Sequence, residues 1–481
     1  MAVNASVLSS PPLCVDLDGT LIRSDLLLES LVLLLKRNPL YLFLAIGWLL
    51  KGGKAGLKAQ IAARVTLNPA ALPYNMELIA WLKAERAAGR EVWLCTAANE
   101  RLADQVSEHL DLFDGVMAST PQVNLAGERK AAKLVERFGQ GGFDYCGNEW
   151  RDMAIWRCSR SAVVVNAPES LVRQVESQLS VAQVFPASGK QTWRVVLRAL
   201  RPHQWAKNVL VLVPLFAAHK AGDLGSVVCG MAALVAFCLC ASSVYLLNDM
   251  LDLEADRGHA RKSKRPFASG DLSIATGLLL APTLLLLSAV IAAFLPAKFQ
   301  LWLVAYYGLT FAYSTFLKRM LLIDAVTLAG LYTLRIIAGA GAVTVGLSFW
   351  LLLFSVFLFL SLAFVKRYAE LDALRRQNKL QALGRGYRVE DLSVLQGFGT
   401  AAGYLSVLVL ALYINSPEIE PLYHRPKVIW MLCVLLLYWV SRVWMTAHRG
   451  GMHDDPVVYA LRDRVSLGLG VVAALTIAIA I

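Results

Sequence analysis

The alternation of apolar and polar positions changes rhythm near residue 190. Over residues 11–185, short apolar segments are separated by charged stretches with helical spacing. The segments "LCVDLDGT", "EVWLCTAAN", "FDYCGNEW" and "SAVVVNA" each read as a buried strand. Strands alternating with helices predict a parallel α/β sheet, with ligands at the carboxyl ends of the strands. Residues 205–481 are instead dominated by apolar runs, and nine candidate spans stand out: 206–219, 227–247, 273–296, 299–317, 321–344, 348–366, 396–415, 427–446 and 465–481. Most approach the ~20 residues that cross a bilayer; the first and last are short. The predicted fold is therefore multi-domain. An α/β Rossmannoid domain spans 11–188, with a helical cap at about 22–80. A basic linker follows at 189–204, and an all-α bundle of nine transmembrane helices spans 205–481. The linker region carries Trp193 and Trp205, as expected of a segment at a membrane interface.

The cap follows from spacing. Seventy-seven residues separate Asp18 from Thr96, too many for one crossover. Inside lies "NPLYLFLAIGWLLKGGK", whose apolar run at 40–50 is too short to span. It suits an interfacial helix or a buried cap helix. Lys36, Arg37, Lys51 and Lys54 flank it and favour membrane contact.

Composition agrees with this division. The 481 residues are 57% hydrophobic, with a mean hydropathy of +0.53, too apolar for an ordinary soluble chain. Only 17% are charged, yet the net charge is +12, which suits basic cytoplasmic loops, phosphorylated substrates or both; no nucleic-acid partner is expected. The bases alternate. Arg257, Arg261, Lys262, Lys264 and Arg265 follow the second span. Lys318 and Arg319 follow the fourth. The sixth is followed by Lys366, Arg367, Arg375, Arg376, Lys379, Arg385 and Arg388, and the eighth by Arg449, Arg462 and Arg464. The intervening loops hold Lys220, Lys298, no base, then Arg425 and Lys427. The positive-inside rule places the first set in the cytoplasm. The N-terminus shows no basic-then-apolar signal pattern, so the α/β domain is expected on the same side. Eight cysteines without a CxxC pair or Cys/His cluster read as reduced packing residues.

Asp16 and Asp18 lie two apart, so on a strand both project the same way. At a strand's carboxyl end that suits one metal ion and a phosphoryl group. In order along the chain come DxDGT, Thr96 ending a strand, Lys130 starting a helix, and Asn148 with Asp152 four residues later. These residues resemble the haloacid dehalogenase superfamily of phosphatases. The resemblance implies that Asp16 is the nucleophile and forms an aspartyl-phosphate, and that Asp18 is general acid/base. It further implies that Thr96 and Lys130 hold the phosphoryl group and that Asp152 helps place Mg2+ alongside Asp16 and Asp18. One departure is Asn148, where that family often has Asp: an amide oxygen can ligate Mg2+ but brings no charge.

In the membrane half the informative stretch is 245–270, "YLLNDMLDLEADRGHARKSKRPFASG". With about 100° per helical residue and Asn248 at the origin, Asp249 falls near 100°, Asp252 near 40° and Asp256 near 80°, whereas Glu254 falls near 240°. Carboxylates crowded on one face repel unless a cation sits between them, and Mg2+ prefers such hard oxygen ligands. The N-D-x-x-D-x-x-x-D pattern in a nine-span chain resembles the UbiA superfamily of intramembrane prenyltransferases, which implies diphosphate binding through Mg2+ at Asn248, Asp249, Asp252 and Asp256. Three further pieces, "RPHQWAKN", "RKSKRPFASG" and "KRYAEL", are similar to the polyprenyl-phosphate (decaprenyl-phosphate) phosphoribosyltransferases of that superfamily. In that branch the donor is phosphoribosyl pyrophosphate and the acceptor a polyprenyl phosphate lipid. Where typical prenyltransferases carry a second Asp-rich motif, this chain offers Lys366, Arg367, Tyr368, Glu370 and Asp372, a mixed-charge site suited to two anionic substrates.

The resulting expectation is pentosyl transfer. Asp249 and Asp252 act at the reacting diphosphate, Lys262, Lys264 and Arg265 hold the donor's 5-phosphate, and Lys207, Lys366 and Arg367 hold the lipid phosphate or pyrophosphate. Arg335, inside a span, is expected to contact phosphate or carboxylate, with snorkelling or a structural pair as the alternatives. Gly339, Gly341 and Ala342 read as close helix packing, and Asp324 as a helix cap. Asp454 and Asp455 either cover the site or open a helix. The product would carry a phosphate monoester, which the N-terminal domain would remove to leave polyprenyl-phosphoryl-ribose for cell-envelope glycans. The expected location is a bacterial inner membrane, and a homo-oligomer is compatible with the sequence. Three other readings stand beside this one: an aromatic prenyltransferase using polyprenyl diphosphate, a lipid carrier without catalysis, and a regulatory, inactive phosphatase-like domain.

Overall fold

The computed structural model describes residues 10–187, 193–259, 261–378, 386–416, 423–452 and 455–480. Lys379, Arg385, Asp454 and the linker positions 189–192 lie outside the described residues. The chain forms two compact units. The first holds Met1–Leu200 together with Leu246–Leu280, and the second Arg201–Tyr245 with Ala281–Ile481. The acidic stretch therefore packs within the same unit as the α/β domain, although the sequence places it among the apolar runs.

The first unit is built on a six-stranded sheet in the order β3-β2-β1-β4-β5-β6, every neighbouring pair parallel. The strands are β1 Leu13–Val15, β2 Val92–Asn99, β3 Gly115–Ser119, β4 Asp144–Gly147, β5 Ala162–Val165 and β6 Val181–Phe185. Four contain the segments read from the sequence. The edges β3 and β6 escaped because "GVMAS" and "VAQVF" are mostly half-buried or exposed and lack a continuous apolar signal. β1 shows why the inner strands read as unbroken apolar runs. Leu13 and Val15 join the core on one face, with Leu94, Leu102 and Val163, while Cys14 joins the other, with Cys95, Leu134, Trp156 and Leu171. β2 runs on past Thr96 to Asn99.

The residues between β1 and β2 form the predicted helical cap. Asp25 caps α1 (Leu26–Arg37) by accepting from the Leu28 N–H at 3.0 Å. α2 (Tyr41–Ala62) is broken at Gly53, whose φ of 58° no L-residue adopts cheaply. Tyr41, Trp48 and Leu57 of α2 pack inward on Leu34 and Ile61. Leu42, Phe43, Ile46, Leu49 and Leu50 point outward and are exposed, Phe43 at 71% and Leu50 at 81%. The apolar run at 40–50 is thus not buried by its own unit.

The second unit is helical. Among the described residues, six helices are long and apolar enough to cross a membrane: Leu224–Leu251, Ile274–Ala293, Ile323–Ala342, Phe349–Arg375, Val389–Ile414 and Lys427–His448. The first two pass between the units. Ala297–Thr315 has 19 residues but carries Lys298, Gln300 and three tyrosines, and Arg464–Ala480 has 17. The candidate span at 206–219 folds as a 3-10 helix, Pro202–Leu212, followed by the short α-helix Val213–Ala217. Pro202 and Pro214 each withhold an N–H there, which suits the start of a short helix better than the middle of a long one. A Cβ on Gly339 would stand 1.9 Å from the Val211 carbonyl oxygen, and one on Gly341 would stand 3.1 Å from the Phe299 nitrogen. These small residues let backbones approach, as the sequence suggested.

Candidate functional site

At the carboxyl end of β1, Asp16 is buried and accepts a hydrogen bond from Lys130 Nζ at 2.8 Å. Lys130 is the third residue of the helix Glu128–Phe138 and also donates to the Tyr145 hydroxyl at 2.9 Å. Tyr145 in turn lies 3.3 Å from Asp152 Oδ1, and Asp152 Oδ2 accepts from the backbone N–H groups of Asn148 and Glu149 at 2.8 and 3.0 Å. Asp18 Oδ1 accepts from the Leu26 N–H at 2.7 Å, and Thr20 donates to Asn148 Oδ1 at 3.2 Å. Thr96 is fully buried, and its hydroxyl accepts from the Ala98 N–H at 3.0 Å. Gly19 has φ 73°, and a Cβ there would meet Asn148 Nδ2 at 2.2 Å, so the turn after the two aspartates requires glycine. Asp16, Asp18, Lys130, Asn148 and Asp152 are thereby drawn to one end of the sheet from three separate segments.

The electrostatics differ between these carboxyls. Burial, with Asp25 and Asp16 adding to it, pushes Asp18 up to about 8, so it keeps its proton near neutrality. Burial and Asp16 likewise raise Asp152, to about 6, against the pull of Lys130 and two backbone N–H groups. Burial works against the Lys130 charge, but Asp16 and Asp152 outweigh it and the ammonium is held above its ordinary range. A protonated carboxyl two residues from an ion-paired one is an acid and a nucleophile side by side.

Two residues of this site carry no sequence signal that singles them out. Tyr145 links Lys130 to Asp152 from the middle of β4. Lys58, on α2 beyond the Gly53 break, donates to the Ala97 carbonyl at 2.5 Å and to Asn124 Oδ1 at 2.8 Å. It brings a cation from the cap to the residue after Thr96. Partial burial lowers its pKa, while Asp18 and Asp25 pull the other way.

The acidic stretch is nearly helical but breaks at Asp252, between Leu224–Leu251 and the short helix Leu253–Arg257. Asp249 and Asp256 converge on one nitrogen of Arg265, at 3.1 and 2.5 Å. Asp252 pairs with Lys36 at 3.3 Å, and Glu254, the residue left off the face by the helical projection, accepts from Asn68 at 3.0 Å. The cation that crowded carboxylates require is here a guanidinium. Among the described residues no group of three or more His, Cys, Asp and Glu side chains is gathered as a metal site. Lys262 and Lys264 sit on a 3-10 turn and are exposed, and Asn248 is half-buried.

In the second unit the two expected lysines meet. Lys207 Nζ and Lys366 Nζ both reach Asp455 Oδ2, at 2.7 and 3.0 Å, and the Tyr332 hydroxyl donates to Asp455 Oδ1 at 2.9 Å. Asp455 also caps the helix Pro456–Ala460 by accepting from the Val457 N–H at 3.2 Å, so it opens a helix and pairs with bases at once. Arg335 is buried, and three of its hydrogen bonds go to neutral oxygens: Asn208 Oδ1 at 2.9 Å, the Leu331 carbonyl at 2.6 Å and the Tyr306 hydroxyl at 2.8 Å. Its guanidinium stacks over Tyr306 at 4.8 Å. Arg367 is held at 2.5 Å by both Asp324 and Glu370. Asp324 is therefore the partner of a buried arginine rather than a cap; the capping position is Leu322, with no side-chain bond. Tyr368 is buried and its hydroxyl lies 2.9 Å from His448 Nδ1.

A parallel α/β domain followed by long apolar helices, with carboxylates at the end of one helix and lysines meeting near others, defines an integral membrane protein with an attached α/β domain. The model of the UbiA prenyltransferase family matches residues 209–461, and the chain belongs to that family. Over 467 residues it is 37% identical to an uncharacterized protein, y4nM, of Sinorhizobium fredii, covering 96% of this chain and 90% of that one. Over 275 residues it is 33% identical to a decaprenyl-phosphate phosphoribosyltransferase of Mycobacterium tuberculosis, covering 56% of this chain and 88% of the relative. Among solved structures, a UbiA homolog from Archaeoglobus fulgidus bound to GPP and Mg2+ is 18% identical with a TM-score of 0.45, over 59% of this chain and 97% of that one. A HAD family hydrolase from Salmonella enterica is a neighbour of the N-terminal region, 13% identical with a TM-score of 0.25, over 36% of this chain and 68% of that one.

Proposed function

We propose that the protein transfers the 5-phosphoribosyl group from phosphoribosyl pyrophosphate to a polyprenyl phosphate, and that its N-terminal domain then removes the 5-phosphate. The joint product would be polyprenyl-phosphoryl-ribose, a sugar donor for envelope glycans. The observation that carries the reading is the pair of lysines, Lys207 and Lys366, meeting on one carboxylate oxygen. A second carboxylate cluster would suit a second metal; two lysines suit an anionic acceptor. The kinship with proteins named decaprenyl-phosphate phosphoribosyltransferase supports the same choice.

Asp249, Asp252 and Asp256 would hold Mg2+; the position of Arg265 between Asp249 and Asp256 supports a cation there. Bound there, Mg2+ supplies charge neutralisation for the departing pyrophosphate. Lys262, Lys264 and Arg265 hold the donor's remaining phosphate. Lys207 and Lys366 orient the lipid phosphate, which is already an anion and needs no general base. Arg335 and Arg367 act through their neighbours, keeping the helices that carry these lysines in place. In the N-terminal domain Asp16 attacks phosphorus, Asp18 protonates the leaving oxygen, and Lys130 and Thr96 hold the phosphoryl oxygens. Asp16, Asp18, Asn148 and Asp152 offer the hard oxygens for Mg2+. We place the chain as a multi-pass protein of a bacterial inner membrane with both sites cytoplasmic. The outward face of α2 then lies in the lipid interface, where a lipid-linked phosphate is at high local concentration.

The test is to incubate membranes with polyprenyl phosphate and labelled phosphoribosyl pyrophosphate, or with labelled polyprenyl diphosphate. Label entering lipid only from the first supports the reading, and label consumed only from the second sinks it. Asp16→Asn should make the phosphorylated lipid accumulate; if it does not, the coupling of the two steps fails.

A further inference from the structure

The acidic stretch is held by the N-terminal domain at three places. Arg257, the residue after Asp256, forms a two-point ion pair with Glu29 of α1, at 2.8 and 2.6 Å, with the two side chains only 10% and 5% exposed. The same guanidinium donates to the Ala71 carbonyl at 3.2 Å and the Ala268 carbonyl at 3.0 Å, so one side chain ties the cap to both ends of the basic loop. Ahead of it, Lys36 of α1 pairs with Asp252 and Asn68 bonds Glu254. Behind it, Gly270, at φ 80°, runs so close to the cap that a Cβ would stand 2.7 Å from Arg23 Cβ. Leu67 and Leu72 face Met250 and Leu253 across the same narrow cleft.

A tethered phosphatase needs none of this. A buried, bidentate arginine–carboxylate pair fixes position to a fraction of an ångström and is costly to leave half-made. Its placement matters more than its strength: it follows directly on the last of the three aspartates. Asp249 and Asp256 share Arg265, while the third, Asp252, pairs with Lys36 of the cap.

We propose that the N-terminal domain is a working part of the transferase: through Glu29 and Lys36 it positions the acidic stretch 248–257 to receive a diphosphate donor, independently of its own phosphatase chemistry. Glu29 and Lys36 are positioning residues. The donor's identity rests on the reading above; the latch does not.

Full-length protein carrying Glu29→Gln, Arg257→Gln, Lys36→Met, Glu29→Asp or the exchange Glu29→Arg with Arg257→Glu tests this. Glu29→Gln and Arg257→Gln should raise the transferase KM for the donor about tenfold or more, with a smaller change in kcat, as expected when a bidentate pair is lost. Hydrolysis of p-nitrophenyl phosphate by the N-terminal site should stay within about twofold. Trypsin should cut faster after the exposed Arg261, Lys262 and Lys264, a readout that needs no substrate. Glu29→Asp should keep most of the donor affinity and the exchanged pair recover part of it, and Lys36→Met should raise KM by a smaller factor. Unchanged KM and unchanged trypsin cutting overturn the proposal. So does equal loss of both activities in Glu29→Gln without recovery in Glu29→Asp. If the parent protein transfers nothing from phosphoribosyl pyrophosphate, the donor assignment fails, and the trypsin pattern still decides the latch.

Discussion

Replacing Asp455 by Asn keeps the shape of the side chain and removes the one charge that two lysines share. In the parent, Lys207 and Lys366 lie 2.7 and 3.0 Å from the same oxygen, and the side chains of Asp455 and Lys207 are only 6% and 10% exposed. A hydrogen bond to a charged group contributes about 1.5–3 kcal/mol, against about 0.5–1.5 for neutral ones, and the substitution removes the charge on one side only. The substitution should therefore cost about 1 kcal/mol at each lysine. Mutual repulsion of the two ammoniums adds to this, and the 28% exposure of Lys366 discounts its share. A total of about 2–3 kcal/mol corresponds to a fall in Tm of several degrees in a domain of this size. With its amide oxygen in the Oδ1 place the Asn still accepts from Tyr332 and Val457, and its amide nitrogen then faces the two lysines. The same change should strengthen anion binding, because the lysines no longer have a carboxylate partner. Thermal unfolding in detergent, with and without inorganic pyrophosphate, reads both effects. Asp455→Asn should melt lower alone and gain more from pyrophosphate than the parent does. Equal pyrophosphate shifts in the two proteins would refute the assignment of this lysine pair to an anion.

Chelation with EDTA should stop transfer, and added Mg2+ should restore it in the parent but not in Asp249→Ala; transfer that survives exhaustive chelation removes the metal from the proposal. Phe43→Glu with Leu50→Glu should cut hydrolysis of lipid-linked phosphate about tenfold while leaving p-nitrophenyl phosphate turnover unchanged, since both side chains lie on the outward apolar face of α2 and far from Asp16 in sequence. Equal turnover of both substrates relative to the parent argues against lipid contact there. Gly19→Ala must accommodate a left-handed φ and a Cβ 2.2 Å from Asn148 Nδ2. The strain is on the order of 1–3 kcal/mol, and phosphatase turnover should drop at least tenfold, measured on the soluble ester with transfer assayed alongside.

Much of this was legible from spacing. Two aspartates on a short apolar run point to a phosphoryl site as an expectation, and both lie at the carboxyl end of β1; the helical projection groups Asp249 and Asp256, which share Arg265, but also Asp252, which turns to Lys36 of the cap as Glu254 turns to Asn68. What escaped is chiefly long-range pairing. Nothing local marks Lys58 as a cap residue that reaches β2, or Glu29 as the partner of an arginine more than two hundred positions on. Asp455 admits two readings from sequence alone, because its helix-opening role is local and its two lysines are not. The edge strands escaped for a different reason: half-exposed strands lose the apolar continuity that reveals the inner ones.

The first unit is discontinuous in sequence, and that has a consequence for how the chain is made. Its sheet and cap emerge first, complete by Leu200, but Glu29 then waits for Arg257, which follows a long helix belonging mostly to the other unit. At about 5–20 residues per second of synthesis, the carboxylate and the apolar side chains beside it, Val32, Leu67 and Leu72, stay uncovered for several seconds. The nascent domain therefore passes through a stage in which the apolar surface that will later grip the acidic stretch is uncovered. Arrival of residues 246–280 from the growing chain is the step that closes it, so the first domain is completed only after the helical half has begun and before most of that half has been made.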